Sequence, residues 1–151
     1  MEMTVVLIKP DAVQRDLIGE IIARFEKKGL KIAGLKMMQF TPEISKQHYS
    51  HLVEKSFYSG LETFMTSCPI VAIAVEGKDA VEVVRNIVGV TNAREALPGT
   101  IRGDFSMSVS KNTIHASDSK ENARKELERF FKKEELFSYS KPDNYYSHDE
   151  L

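Results

Sequence analysis

The chain has 151 residues and a formal net charge of −1, with 42% apolar and 28% charged residues. This length suits one domain over residues 1–151 with a single buried core, and the composition is that of a globular rather than a disordered chain. The near-zero charge excludes a general polyanion binder, which needs a strong basic excess, so we expect no specific nucleic-acid partner.

Signals for a membrane or for secretion are missing from the sequence. No apolar run approaches the length of a membrane span, and the N-terminus, MEMTVVLIKP, lacks the basic region and cleavage site of a signal peptide. One cysteine, Cys68, permits no intrachain disulfide, which favours a reducing compartment. The final HDEL resembles a retention address, but without an entry signal it would not be read. We therefore expect a cytoplasmic location and no membrane partner.

The first half of the chain predicts two strands and three helices. A β-branched run predicts a strand over 4–8, and a second strand follows over 31–40. Between them, apolar residues at helical spacing predict a helix that ends at Gly29; these residues are Ile18, Ile21, Ile22 and Phe25. Residues 43–67 predict two short helices, the first beginning at Thr41-Pro42.

The second half begins with a continuous apolar run over 70–75, which predicts a central strand. Asp79, with Glu82 three residues later, predicts the N-cap of an amphipathic helix over 80–88. Residues 89–104 form a long, glycine-punctuated loop of the kind that is usually functional.

Two further elements close the chain. The alternation of Phe105, Met107 and Val109 with serines predicts a fourth strand. Asp118, followed by Glu121, predicts the N-cap of a last long helix, and a polar and aromatic tail begins at Ser138.

The order is therefore β-α-β, a helical insert, and β-α-β. This order predicts an α+β, ferredoxin-like antiparallel βαββαβ sheet with helices on one face, a helical hairpin insert and a long loop. Regulatory domains, RNA-recognition modules, metal chaperones and enzymes share this topology, so the fold alone assigns no function.

The sequence lacks the glycine-rich loops and catalytic motifs of the common nucleotide kinases, and it lacks CxxC and HExxH metal motifs. His48 and His51 share a helix face, but without a third ligand a surface position is favoured over a metal site. The remaining candidates are cations at element ends, Lys9, Arg85 and Arg102. If they converged near a neutral histidine, they would form a phosphoryl-transfer site.

Six segments occur in an order and spacing that resemble the nucleoside diphosphate kinases. They are KPDAVQR, GLKMMQ, HY, F-x-x-GL, PGTIRGDF and N-x-x-HASDS. The resemblance extends over about residues 3–137, and the pair PGTIRGDF and NTIHASD is highly specific. By position alone His115 would be a solvated loop residue; the resemblance identifies it as the candidate nucleophile.

The resemblance implies a role for each matching residue. His115 would accept the γ-phosphate of a nucleoside triphosphate, mainly ATP, and pass it to a nucleoside diphosphate in a ping-pong reaction. Glu126 would orient the His115 ring and Ser117 would brace Glu126. The phosphates would be held by Lys9, Arg85, Thr91 and Arg102.

The same resemblance implies how the rest of the nucleotide binds. Asn112 and Lys9 would contact the sugar, Phe57 would stack on the base with Leu61 beneath it, and Tyr49 would lie near the phosphorylated site. Stacking tolerates every base, which implies broad base and sugar specificity. Mg²⁺ would arrive on the nucleotide phosphates rather than in a protein metal site.

The sequence departs from the common family pattern outside the proposed catalytic positions. Ala12 and Ala116 stand where glycine is frequent, Lys55-Ser56 replaces Arg-Pro, Tyr58 replaces phenylalanine and Ala93 replaces proline. The lost prolines put the rigidity of the nucleotide clamp and the long loop in question. The C-terminal extension is similar to that of hexameric members, so a homo-hexamer is expected, with a tetramer as the alternative.

Two other functions fit the sequence less well than the enzyme does. A binding module on the same topology could be an RNA-recognition sheet or a ligand-binding regulatory domain. An RNA-recognition module should expose aromatic residues on its central strands and carry a basic surface, whereas these strands are aliphatic and the net charge is −1. An inactive scaffold is disfavoured because every proposed catalytic and nucleotide-binding position keeps the expected residue.

Overall fold

The computed structural model describes residues 1–142. In this part of the chain the strands are β1 (Glu2–Ile8), β2 (Lys31–Met38), β3 (Ile70–Gly77) and β4 (Ile114–Ala116). The helices are α1 (Pro10–Gln14), α2 (Ile18–Lys28), α3 (Pro42–His48), α4 (Tyr58–Thr66), α5 (Ala80–Val88), α6 (Ile101–Phe105) and α7 (Lys120–Phe130), with 3₁₀ turns at Ser50–Leu52 and Lys133–Glu135. None of these helices is both long and apolar enough to cross a bilayer. The HDEL segment and most of the predicted tail lie outside the described residues.

The four strands form one antiparallel sheet in the order β2-β3-β1-β4. This order, with α2 and α5 as the connecting helices, is the predicted ferredoxin-like topology, and the fold prediction is confirmed. β1 lies in the centre and pairs with both β3 and β4; in the second pair Leu7 faces His115. The candidate nucleophile is therefore carried by a strand held against the middle of the sheet.

Helices cover both faces of the sheet, so the prediction of one covered face is wrong. On one face Val6 and Ile8 of β1 pack with Phe25 of α2 and Val84 of α5. On the other face Val5 and Leu7 pack in a second cluster that receives the helical insert and α7; its aromatic members are Phe40, Tyr49, Tyr58, Phe130 and Phe131. A strand buried on both faces is continuously apolar rather than alternating, which is the pattern of β1.

Most of the predicted helix boundaries are confirmed. Gly29 ends α2 with φ of 99°, a left-handed conformation that glycine adopts without steric cost. The side chain of Thr41 accepts a hydrogen bond from the backbone N–H of Ile44 and caps α3. Asp79 occupies the N-cap position of α5, but its side chain makes no capping hydrogen bond and its φ is 50°.

Three predictions in the second half of the chain are wrong. The loop predicted over 89–104 ends early, because α6 begins at Ile101 inside it. The alternating residues Phe105–Val109 form no strand: Phe105 ends α6, and Met107 and Val109 are 77% and 50% exposed. The fourth strand is instead β4. The N-cap of α7 is Ser119, whose hydroxyl accepts from the backbone N–H of Asn122, whereas Asp118 accepts from the Asn122 side-chain amide.

Candidate active site

A cleft of about 1040 Å³ opens between the end of β1, the helical insert, the loop before α6 and α7. Every residue that the sequence singled out for the site lines this cleft except Ser117, which lies behind Glu126. The lining residues among them are Lys9, Tyr49, Phe57, Leu61, Arg85, Thr91, Arg102, Asn112, His115 and Glu126. The fold thus brings together side chains that are up to about a hundred residues apart in the sequence.

His115 enters the cleft from a strand whose start is held by local hydrogen bonds. Thr113 has φ of 69°, a conformation that costs a β-branched residue free energy. Its backbone N–H donates to Asp11 Oδ2 at 3.0 Å, and the backbone N–H of Lys9 donates to the Thr113 carbonyl at 2.9 Å. These contacts fix the peptide just before the strand and place the His115 side chain, which is 23% exposed, at the cleft wall.

One ring nitrogen of His115 is engaged by a carboxylate. His115 Nε2 lies 2.8 Å from both Oε1 and Oε2 of Glu126. Ser117 Oγ donates to Oε1 at 2.7 Å, and Glu126 is only 5% exposed. Because an ionised carboxylate accepts hydrogen bonds only, Nε2 carries the ring proton and Nδ1 keeps its lone pair. The arrangement prepares Nδ1 to act as a nucleophile.

Two buried cations face the same space. Lys9 Nζ donates to Asn112 Oδ1 at 2.8 Å and to the Ser110 carbonyl at 3.5 Å. Arg102 donates to the carbonyls of Gly89 and Ile114 at 2.9 and 2.7 Å. All four acceptors are neutral, so these contacts orient the cations without cancelling their charge. A site of this kind is suited to an anion with several oxygens.

Burial and the charge of a neighbouring arginine lower the pKa values of both cations. Desolvation, followed by the charge of Arg102, lowers the pKa of Lys9 to about 8, against a smaller opposing effect of Asp11. Desolvation, with the charge of Arg85, lowers the pKa of Arg102 to about 10. A phosphate bound between these groups would remove both penalties, because it restores a counter-charge.

Hydrogen bonds hold the loop that leads into α6, the helix that carries Arg102. Thr100 caps α6 by accepting from the backbone N–H of Gly103 at 3.0 Å. Asp104 accepts from the backbone N–H of Gly99 and from Arg24 of α2, each at 2.8 Å. On the cleft side, the Asn112 amide donates to the Thr91 carbonyl at 3.0 Å. These bonds limit the loop mobility that Ala93 in place of a proline would permit.

The outer part of the cleft is apolar. Phe57 is 57% exposed at its rim, and the half-buried Leu61 lies beside it. Phe57 is therefore not a core residue, which is the position that its sequence context alone would favour. An exposed aromatic ring beside a cationic cleft offers a stacking surface for a flat ligand.

The prediction of a surface position for His48 is wrong. His48 is 8% exposed, its ring centroid lies 4.6 Å from that of His115, and Arg129 Nη1 lies 3.0 Å from its Nδ1. One sequence signal could have located it: Phe40, Ile44, His48 and Leu52 recur every four residues and share one face with the apolar residues of the insert. Nothing in the sequence identified its partner, Arg129.

Tyr49 follows His48 into the same cluster. It is 8% exposed, and its ring centroid lies 4.7 Å from that of His48. Burial raises the pKa of the Tyr49 hydroxyl, and the nearby carboxylate of Glu126 raises it further. The hydroxyl therefore stays protonated and able to donate at neutral pH.

The ligand atoms of His48, His115 and Glu126 lie within 4.8 Å of one another, close enough to hold a cation. Their atoms are already used, however: Ser117 donates to Glu126, Glu126 accepts from His115, and Arg129 donates to His48. The Arg129 guanidinium would also repel a metal ion at this distance. We interpret the cluster as a hydrogen-bonding network.

Comparisons with known proteins agree with this geometry. The family model described as nucleoside diphosphate kinase matches residues 2–136. The nucleoside diphosphate kinase of Parabacteroides distasonis is 53% identical over 153 residues, which cover 100% of both chains. The nucleoside diphosphate kinase of Rhodopirellula baltica is 54% identical over 140 residues, which cover 93% of this chain and 92% of that protein. The solved structure of the halophilic nucleoside diphosphate kinase of Halobacterium salinarum in complex with CDP is 42% identical, with a TM-score of 0.91 over 94% of this chain and 95% of that one. The chain therefore belongs to the nucleoside diphosphate kinase family and is an enzyme of nucleotide phosphotransfer.

Proposed function

We propose that this enzyme moves the γ-phosphate of a nucleoside triphosphate, mainly ATP, to a nucleoside diphosphate through a phosphohistidine on His115. The observation that carries the proposal is the contact between His115 Nε2 and both oxygens of Glu126 at 2.8 Å. This contact leaves Nδ1 free in a cleft lined by Lys9 and Arg102. A free imidazole lone pair beside phosphate-binding cations is the combination that phosphoryl transfer to histidine requires.

The reaction would proceed in two matched halves. In the first, the Nδ1 lone pair forms a bond to the γ-phosphorus while the bond to the β–γ bridging oxygen breaks. The bridging oxygen leaves with that electron pair on the nucleoside diphosphate, and the Nε2 proton stays on the ring, hydrogen-bonded to Glu126. The second half reverses these steps with a different diphosphate as acceptor, so no water or further co-reactant is consumed.

Each proposed binding residue contributes to this transfer through its charge or shape. Lys9, Arg85 and Arg102 offset the negative charge that spreads over the transferring phosphoryl oxygens. The Thr91 and Asn112 side chains would complete the contacts to phosphate and sugar, with the Asn112 amide oriented by its bonds to Lys9 and to the Thr91 carbonyl.

Broad tolerance of the base is supported by the outer cleft. Phe57 offers an exposed ring face, and Leu61 provides an apolar floor. The Halobacterium salinarum relative was solved with CDP, a nucleoside diphosphate of the class proposed here as acceptor. Tyr49, which also lines the cleft, would donate a hydrogen bond from its hydroxyl to the phosphoryl group or to the water around it.

Mg²⁺ is proposed to arrive with the nucleotide. The cleft offers mainly cations to the phosphates, and the carboxylate of Glu126 is occupied by His115 and Ser117. Mg²⁺ prefers several oxygen ligands and shares them with phosphates in such sites. When bound, it would neutralise part of the phosphate charge, and the protein would contribute the cations described above.

The proposal extends to the state of the whole molecule. We propose that residues 1–151 act as a single domain in the cytoplasm and assemble as a homo-hexamer, with a tetramer as the alternative. Leu35 and Met37 on the edge strand β2 are 52% and 59% exposed, which supports association between copies. Light scattering of the purified protein would distinguish six copies from four.

A phosphoenzyme trap tests the function. Protein incubated with γ-labelled ATP and Mg²⁺ should retain label after denaturation in alkali and lose it in acid. GDP or UDP added before denaturation should remove the label as a triphosphate. His115→Ala should do neither, while His51→Ala, a matched change at an exposed histidine, should label normally. Absence of label in a protein that still binds nucleotide would overturn the proposal, and the isomer of phosphohistidine released by alkaline hydrolysis would test Nδ1 directly.

A further inference from the structure

His48 is a buried histidine that the proposed reaction does not use. It is the last residue of α3, and aromatic rings surround it. Its ring meets that of His115 edge to face, with centroids 4.6 Å apart and planes at 83°. Tyr49 and Phe130 pack against it at centroid distances of 4.7 and 5.3 Å. This ring therefore has one defined orientation, and it is set against the candidate nucleophile.

Arg129 fixes the protonation state of His48. A guanidinium nitrogen donates hydrogen bonds and accepts none, so the 3.0 Å contact from Arg129 Nη1 requires a lone pair on His48 Nδ1. The single ring proton of His48 is then on Nε2, and the ring is neutral. A proton added to Nδ1 would face the Arg129 donor directly.

Most of the groups around His48 oppose a second proton on its ring. Desolvation is the largest influence that lowers its pKa, followed by the positive charges that His115 and Arg129 carry when protonated, with smaller contributions from Lys9 and His51. The Glu126 carboxylate is the opposing group, with Oε2 3.9 Å from His48 Nδ1. That carboxylate is already shared between His115 and Ser117.

We propose that His48 is a positioning residue for phosphoryl transfer, whose neutral ring, held by Arg129, fixes the tilt of the His115 ring. The inference rests on the proposed phosphohistidine at His115. Glu126 anchors His115 at one nitrogen only, and a ring held at one point can still tip about that point. The edge-to-face contact with His48 blocks this tipping, so that Nδ1 keeps its direction into the cleft. In-line attack on phosphorus depends on that direction.

Two substitutions separate the shape of His48 from its hydrogen bond. His48→Phe keeps an aromatic ring against His115 and gives up the bond to Arg129, which is half-buried and within reach of water. His48→Ala removes the ring altogether. The same two substitutions at His51, an exposed histidine three residues later, are the matched controls.

The first measurement is the single-turnover rate of phosphorylation by saturating ATP and Mg²⁺. We expect His48→Ala to slow this step by about 10- to 100-fold, with nucleotide affinity changed less than about threefold, since loss of orientation costs rate rather than binding. His48→Phe should stay within about threefold of wild type. Because one neutral ring replaces another, the midpoint of its pH–rate profile should match that of wild type. Both His51 variants should match wild type.

The second measurement needs no activity and uses the unaltered protein. Nitrogen-15 NMR should show His48 with an unprotonated Nδ1 and a protonated Nε2, unchanged between about pH 5 and about pH 9. Titration of His48 in this range would overturn the inference. So would an unchanged rate in folded His48→Ala, a loss in His48→Phe as large as that in His48→Ala, or a displaced pH midpoint in His48→Phe. Labelling of the wild-type protein by ATP and its discharge by a diphosphate test the proposed reaction, whereas the His48 variants test this inference. A failure of one is therefore distinguished from a failure of the other.

Discussion

Nucleotide binding near pH 8 should draw a proton onto Lys9. In the free protein, burial and the charge of Arg102 lower the pKa of Lys9 to about 8. Bound phosphate favours the charged ammonium and raises that pKa again, so binding takes up protons. At pH 8 about half of the free molecules carry a neutral Lys9, which gives an uptake of about half a proton per nucleotide. At pH 7 only about a tenth of Lys9 is neutral, and the uptake falls to about a tenth of a proton.

Calorimetric titration with ADP and Mg²⁺ in buffers of different ionisation enthalpy measures this number directly. Lys9→Arg is the matched control, because a guanidinium stays charged and cannot take up a proton in this range. Protons exchanged by the nucleotide phosphates contribute equally to both proteins, so the difference between them isolates Lys9. Equal proton numbers for wild type and Lys9→Arg at pH 8 would refute the reasoning. An uptake that fails to grow between pH 7 and pH 8 would refute it as well.

Three further predictions concern the hydrogen-bond network, the base site and the loop. Glu126→Gln should slow single-turnover phosphorylation by about 10- to 100-fold, the equivalent of a charge-assisted hydrogen bond of about 1.5–3 kcal/mol; a wild-type rate would contradict it. Phe57→Ala should weaken calorimetric affinity for ADP, GDP and CDP alike, by about 1–3 kcal/mol; a loss confined to one base would argue against stacking. Gly103→Ala should lower the free energy of unfolding in urea by more than about 1 kcal/mol, because its Cβ would collide with the Leu97 carbonyl. Gly19→Ala, whose Cβ meets nothing within 4 Å, is the control and should cost nothing.

The sequence predicts those parts of the fold in which local pattern and tertiary packing agree. The helix over residues 18–28 shows this agreement: Ile21 and Phe25 are spaced for one face, both are fully buried, and Gly29 supplies the left-handed end. β3 shows it too, since its continuous apolar run is typical of a strand covered on both faces, and the strand is buried along nearly its whole length. Where the residue spacing, the end of the element and the burial all favour the same structure, few alternative structures compete with it.

The fourth strand was misplaced because alternation does not by itself require burial. Met107 and Val109 alternate with serines, yet they are exposed, and the segment before them is drawn into α6 by the cap at Thr100. The true strand, β4, has only three residues. A segment so short has no measurable period, and it is a strand because it pairs with β1. Pairing of this kind is a property of the tertiary structure that a local pattern does not contain.

The candidate site was predicted residue by residue from its motifs, together with the contacts of Glu126 with His115 and Ser117, whereas the contacts of His48 were not predicted. The sequence places Glu126 eleven residues after His115, and only the docking of α7 on the sheet puts the carboxylate against Nε2. His48 comes from the helical insert, more than sixty residues away in the sequence, so no local spacing relates it to His115. The resemblance named Glu126 and Ser117 as the residues that hold His115, and it did not name His48 or Arg129.

The site also concentrates groups that a stable fold would avoid. Lys9 is buried against neutral oxygens, and Thr113 has a positive φ. Within the described residues 1–142, Arg102 Nε and Asp11 Oδ1 are buried without a hydrogen-bond partner. Each of these features costs folding free energy. We expect three of the four to be relieved or used when a phosphate binds: Lys9 and Arg102 would gain a counter-charge, and the Thr113 conformation would keep His115 directed at it. Rules that relate sequence to stability fail at these positions because the charges there are complementary to a ligand rather than to the rest of the protein.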